Sequence, residues 1–263
     1  MTACDTHMHV YDGRHPSAPT ATLFPPDASL TDYAEVQAAV GTERVVVVQP
    51  TTYGFDNELH LSAMAALGDA ARGVMVIDSS VSDTELRRLT DLGVRGARFH
   101  LLPGGAVGRD ELEPVAARIA PYGWHIQLQI DGHELAGELD RLRRLPCPLV
   151  VDHVGRFMPP VPPDHDDFAA LLALVDHGAH VKLSAPYESA PDPSHEYATV
   201  TACVDTLVQR APDRMLWATN WPHPGQAAPP STSALLGLRE RWLATADLRT
   251  QVLVRNPATL YDF

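Results

Sequence analysis

Cysteine is scarce in this chain of 263 residues, which holds three, Cys4, Cys147 and Cys203. An odd number at wide spacing argues against a disulfide framework and against a CxxC metal site, so reduced cysteines are expected. Basic residues are few as well, 20 Lys and Arg against 33 Asp and Glu, for a net charge of -13. Without a basic stripe nucleic acid is not an expected partner, and an anionic substrate would need a locally basic pocket. No run approaches the roughly 18 apolar residues that a bilayer demands, which sets a membrane partner aside. Met1 leads almost directly to Asp5 and His7, with no basic segment followed by an apolar run. No secretory signal is visible, and a cytoplasmic location is expected.

Hydrophobic residues make up 45% and charged residues 20%, close to the usage of soluble globular chains. Short β-branched runs recur at residues 3–9, 44–49, 73–78, 94–100, 125–130, 149–153, 180–184 and 215–220. The near-continuous apolar character of Val45, Val46, Val47 and Val48 marks strands buried on both faces, as in a parallel sheet. Helical patterns lie between the runs, for example from Asp83, read as an N-cap, to Leu89, and over residues 168–175. The alternation predicts an α/β fold, one (β/α)8 TIM barrel over residues 1–263.

A barrel of this kind places its chemistry at the C-terminal ends of the strands. There the sequence offers His7 and His9, Gln49, Arg98 and His100, Gln127 and Gln129, Asp152 and His153 followed by Arg156, Lys182 leading to Tyr187 and Glu188, and Asn220 before His223. His7 and His9, two apart on a strand, share a face and have the geometry to chelate. Arg98 and Lys182 are expected to hold a substrate carboxylate, the first as a bidentate clamp and the second as a point charge. Arg156 either closes over a ligand or caps a loop. Gln49, Gln129 and Tyr187 read as hydrogen-bonders to hydroxyl or carboxylate groups, and His153 as a general base or oxyanion donor.

Several motifs carry a resemblance along nearly the whole chain. They are Asp5-x-His7-x-His9, Arg95-Gly96-Ala97-Arg98, Gly123-Trp124, Val151-Asp152-His153-x-Gly155-Arg156, Asn220-Trp221-Pro222-His223 and the closing Asn256-Pro257-x-x-Leu260-Tyr261. Together and in this order they resemble the amidohydrolase-related branch of the amidohydrolase superfamily, which contains pyrone-dicarboxylate lactonases and aldarolactone isomerases. Gln129 and Asn220 look isomerase-like, whereas the retained His7 looks lactonase-like. The resemblance implies an enzyme acting on a carboxylated lactone, a small-molecule partner, with a homo-oligomer as a further expectation.

Asn220 stands where the resemblance implies an acidic residue, and an amide neither takes up a proton at neutral pH nor binds metal well. Strand five offers Gln127 and Gln129 where metal-dependent relatives place a histidine. No cofactor is therefore expected. A single zinc is the alternative, held by His7, His9 and His153, with His223 another candidate for the third ligand. The expected chemistry is isomerisation of a sugar-acid lactone by intramolecular acyl transfer. His9 and Asn220 would orient the hydroxyl or polarise the carbonyl, and His153 or His7 would move the proton. Hydrolysis of a carboxylated lactone and noncatalytic anion binding are the competing readings.

Overall fold

The computed structural model of the chain describes residues 2–190 and 197–263. Eight parallel strands stand in sequential order: β1 (Cys4–Met8), β2 (Arg44–Val48), β3 (Ala71–Met75), β4 (Val94–His100), β5 (His125–Gln129), β6 (Leu149–Val151), β7 (His180–Leu183) and β8 (Met215–Trp217). Beyond β8 the chain continues alongside β1. Met8 bridges Trp221 in parallel, Asn220 N donates to His7 O at 3.0 Å, and His9 N donates to Trp221 O at 2.9 Å. These contacts bring the last strand back to the first in a (β/α)8 barrel.

The eight helices that follow the strands are α1 (Leu30–Val40), α2 (Glu58–Leu67), α3 (Asp83–Asp91), α4 (Leu112–Ile119), α5 (Leu135–Arg143), α6 (Asp166–Asp176), α7 (Ala198–Arg210) and α8 (Thr232–Trp242). Asp83 is the first residue of α3 and not its cap. Ser82 caps the helix, its hydroxyl accepting from Glu85 N at 3.1 Å, and Asp83 instead adds negative charge to the first turn.

Strand β2 shows why the apolar runs are continuous. Val46 and Val48 join Cys4, Val74, Val150, Leu216 and Tyr261 in one buried cluster, while Val45 and Val47 pack in the larger cluster that includes helix residues such as Leu86 and Leu112. Alternate side chains thus face opposite sides of the sheet, and both sides are apolar. Strand β3 starts at Ala71, two residues before the run that sequence suggested. It ends at Met75 because Asn57 claims the next residue, accepting from Val76 N at 3.0 Å and donating to Val76 O at 2.8 Å. Strands β6 and β8 stop short of the expected ends because the backbone turns into left-handed conformations at His153, with φ 54°, and at Asn220, with φ 57°.

A carboxylate fastens β1 to the segment after β8. Asp5, fully buried, accepts from Thr219 N at 2.9 Å, Thr219 Oγ1 at 2.6 Å, Tyr33 Oη at 3.0 Å and His7 N at 3.2 Å. Every partner is a donor, so each bond is available to the ionised form.

Buried histidines make the scaffold acid-sensitive. Burial pushes the pKa of His60 and His125 down to about 3 and that of His180 to about 4. The unfolded chain takes up these protons near pH 6.5, so between pH 6.5 and 4 it binds more protons than the folded chain and stability falls as pH falls. Each group contributes about 1 kcal/mol per pH unit, and the thermal midpoint is expected to drop by roughly 5 °C or more per unit between pH 6 and 4.5. A midpoint that stays level across that range, measured by circular dichroism, contradicts this reading.

Candidate active site

A cavity of about 350 Å³ opens at the C-terminal ends of the strands, within the size range of small-molecule sites. Of the residues singled out from sequence, His9, Arg98, Gln129, His153, Arg156, Tyr187 and Asn220 line it. His7, Gln49, Lys182 and His223 do not. The walls also include Tyr11, which sequence did not single out, and His100 and Glu188, which it placed near strand ends without a role. Two of these were within reach of the alternation rule, since Tyr11 lies two residues beyond His9 and His100 two beyond Arg98.

The residues behind the wall hold it in place. Gln49 Nε2 donates to Gly54 O at 3.1 Å and Asp56 O at 2.8 Å, which ties down the loop after β2. Its backbone carbonyl accepts from Arg98 Nη1, and Arg98 Nη2 donates to Gln129 Oε1 at 3.0 Å. Gln49 thus positions Arg98, where sequence suggested a ligand contact.

Lys182 departs most from expectation. It is the only lysine in the chain, and its side chain has no solvent exposure. Its Nζ lies 2.6 Å from Gln127 Oε1, 3.2 Å from His7 Nδ1 and 3.6 Å from Asp152 Oδ1. Gln127 completes the link, donating from Nε2 to Asp152 Oδ2 at 3.0 Å. Burial lowers the lysine pKa to about 8, with Asp152 opposing the fall. Burial is the largest influence on Asp152 and opposes its ionisation, but the ammonium together with His7 and His153 outweighs it and holds the carboxyl well below its usual range. Lys182 is thus an internal counterion rather than a receptor at the mouth.

This pair also sets the histidine tautomers. His9 Nδ1 lies 2.7 Å from Val48 O, which only accepts, so Nδ1 carries the hydrogen. Burial holds His9 neutral, leaving Nε2 as a lone pair 3.2 Å from His7 Nε2, which must then be the donor. His7, also held neutral by burial and by Lys182, turns its Nδ1 lone pair to the ammonium. Neutral His9 consequently has no free N–H with which to polarise a carbonyl, contrary to the sequence expectation.

A second chain orients Asn220. Burial lowers His223 to about pKa 4, which leaves the neutral ring a lone pair, and its Nδ1 lies 2.9 Å from the Tyr187 hydroxyl, whose hydrogen is directed there by the Asn220 amide donating to Oη from the other side. Tyr187 Oη in turn accepts from Asn220 Nδ2 at 3.0 Å. The amide is thereby fixed with Oδ1 buried at the cavity wall and without a hydrogen-bond partner among the described residues. The left-handed backbone at Asn220, which asparagine tolerates better than most residues, is held by His223 N donating to Asn220 O at 2.8 Å.

His7, Asp152 and His153 bring one ligand atom each within 4.8 Å of one another, a set that includes Asp152 and omits the His9 expected from sequence. The Lys182 ammonium already stands against two of the three, at His7 Nδ1 and Asp152 Oδ1. A divalent ion on that set would meet a fixed positive charge at close range, so the residues do not fit it while the lysine is protonated.

Fold and site together define a parallel barrel whose mouth carries histidines, an amide and two guanidinium groups over an internal ion pair. The chain belongs to the amidohydrolase family Amidohydro_2, which it matches over residues 4–263. It is 36% identical to D-galactarolactone isomerase of Agrobacterium fabrum, over 98% of this chain and 90% of that protein. It is 35% identical to the 2-pyrone-4,6-dicarboxylate hydrolase of Comamonas testosteroni, again over 98% and 90%. A crystal structure of an Agrobacterium tumefaciens protein superposes with a TM-score of 0.93 at 35% identity, covering 99% of this chain and 96% of that one.

Replacing Lys182 by Met strands Asp152 as an uncompensated buried charge, at an expected cost of about 3–5 kcal/mol in chemical denaturation. The double variant Lys182→Met with Asp152→Asn should recover much of that loss. A single variant as stable as the wild type would show that the pair is not the counterion arrangement described.

Proposed function

We propose that the chain isomerises a sugar-acid lactone bearing a free carboxylate, by intramolecular acyl transfer and without a metal. The observation that carries this reading is Asn220, whose Oδ1 is left unpartnered by the Tyr187 and His223 chain. That oxygen accepts a hydrogen bond but does not take up a proton, so it orients a hydroxyl and leaves water unactivated. The relatives named as a lactone isomerase and a lactone hydrolase support lactone chemistry in general.

In this scheme Arg98 takes the substrate carboxylate, and a substrate hydroxyl donates to Asn220 Oδ1. Arg156, whose Nε is held by Glu188 Oε2 at 3.1 Å, presents its remaining N–H groups to the lactone carbonyl. As the hydroxyl oxygen bonds to the carbonyl carbon, its hydrogen leaves the bond to Asn220 Oδ1 and passes as a proton to Nε2 of neutral His153, whose Nδ1 is engaged by Ser184 Oγ at 2.9 Å. Collapse breaks the old ring C–O bond, and His153 returns the proton to the departing oxygen. No water enters. Holding the nucleophile within the substrate is worth about 7–11 kcal/mol, against the roughly 3–5 kcal/mol that a positioned base typically contributes. The reaction therefore depends less on a carboxylate base at position 220 than water attack does.

Among the described residues no helix is long and apolar enough to cross a membrane. The three cysteines are free, which supports the proposal of a reducing, cytoplasmic setting.

Proton NMR of a six-membered aldarolactone with catalytic protein tests the reading: the five-membered lactone should appear as the first product. An opened diacid appearing first would contradict it. Asn220→Asp restores a base beside the bound lactone and should raise ring opening by about tenfold or more. No gain would argue against Asn220 as the group that withholds water activation.

A further inference from the structure

The charges on the cavity wall do not balance, and one carboxylate decides by how much. Among the described residues lining it, Glu188 is the single acid, against Arg98 and Arg156. Burial keeps His9, His100 and His153 neutral near pH 7. Two positive charges and one negative leave the wall with one positive charge. The two guanidinium groups are not equivalent. Arg98 is buried, and among the described residues it bonds only the neutral Gln49 O and Gln129 Oε1, with its Nε left without a partner. Arg156 already has its anion, with Nε donating to Glu188 Oε2 and the two side chains only 16% and 18% exposed. That shielding gives the pair more weight than an ion pair in open solvent. The turn presenting Glu188 is fixed by Ala185 in the left-handed region, at φ 45°, and by Glu188 N donating to Ala185 O at 2.9 Å.

We propose that Glu188 sets the charge of the substrate, admitting lactones with one carboxylate and disfavouring those with two. Arg98 is the receptor for the one carboxylate. Neutralised by Glu188, Arg156 serves the uncharged carbonyl and hydroxyl face of the ligand, and a second carboxylate there meets an acid already in place. The inference rests on the carboxylated-lactone reading of the cavity and narrows it to monoanions.

Two ligands with the same ring, 2-pyrone-6-carboxylate and 2-pyrone-4,6-dicarboxylate, isolate the effect of one charge in titration calorimetry. The wild type should bind the monocarboxylate at least about tenfold more tightly. Glu188→Gln keeps an oxygen for Arg156 Nε and removes the charge, and should collapse or reverse that ratio. Glu188→Asp keeps the charge and should restore the preference. Because the readout is a ratio, a general weakening of the fold or site does not imitate it. A wild type that binds the dicarboxylate equally or better, or a Gln variant with an unchanged ratio, overturns the proposal alone. Failure of both rings and of an aldaromonolactone to bind overturns the carboxylated-lactone reading with it.

Discussion

The candidate site depends on the buried ammonium of Lys182. A lysine without solvent exposure is tolerated only beside a compensating charge, and Asp152 supplies it, with Gln127 bridging the two. The ammonium directs the His7 lone pair toward itself, His7 then donates to His9, and His9 is closed off against Val48. One internal cation thus determines which atoms of the strand-one histidines are free. It also lies close to the His7 and Asp152 atoms that an ion would use, which supports the proposed chemistry without a metal.

Above that foundation the cavity divides its labour. Among the described residues Arg98 has no bonded carboxylate, Arg156 and Glu188 form a neutral pair, and Asn220 offers an acceptor oxygen fixed by Tyr187 and His223. An amide held in one orientation suits the placement of a hydroxyl. The retained His7, which looked lactonase-like in sequence, serves here as a link between Lys182 and His9.

Much of this was legible in the sequence. Buried parallel strands write themselves as runs like Val45 to Val48, because both faces must be apolar, and strand ends stand out as polar residues at the close of such runs. That logic found His9, Arg98, Gln129, His153 and Asn220. It misjudged Lys182 and Gln49 because polarity at a strand end does not reveal depth: an inward side chain one layer lower points at neighbouring strands instead of the cavity. Glu188 stood in the sequence only as a polar residue after strand seven, since its role depends on Arg156, 32 positions away, and on a turn whose left-handed residue is an alanine. The fact that Lys182 is the only lysine was available from the start and was the one signal that set it apart from the arginines.

The central claim is that Asn220 directs a hydroxyl within the substrate and leaves water unactivated. Turnover of an aldarolactone in ¹⁸O-labelled water, followed by mass spectrometry of the lactone formed, addresses it directly. The account predicts no label in the product beyond that from spontaneous hydrolysis. One labelled oxygen per turnover would contradict it.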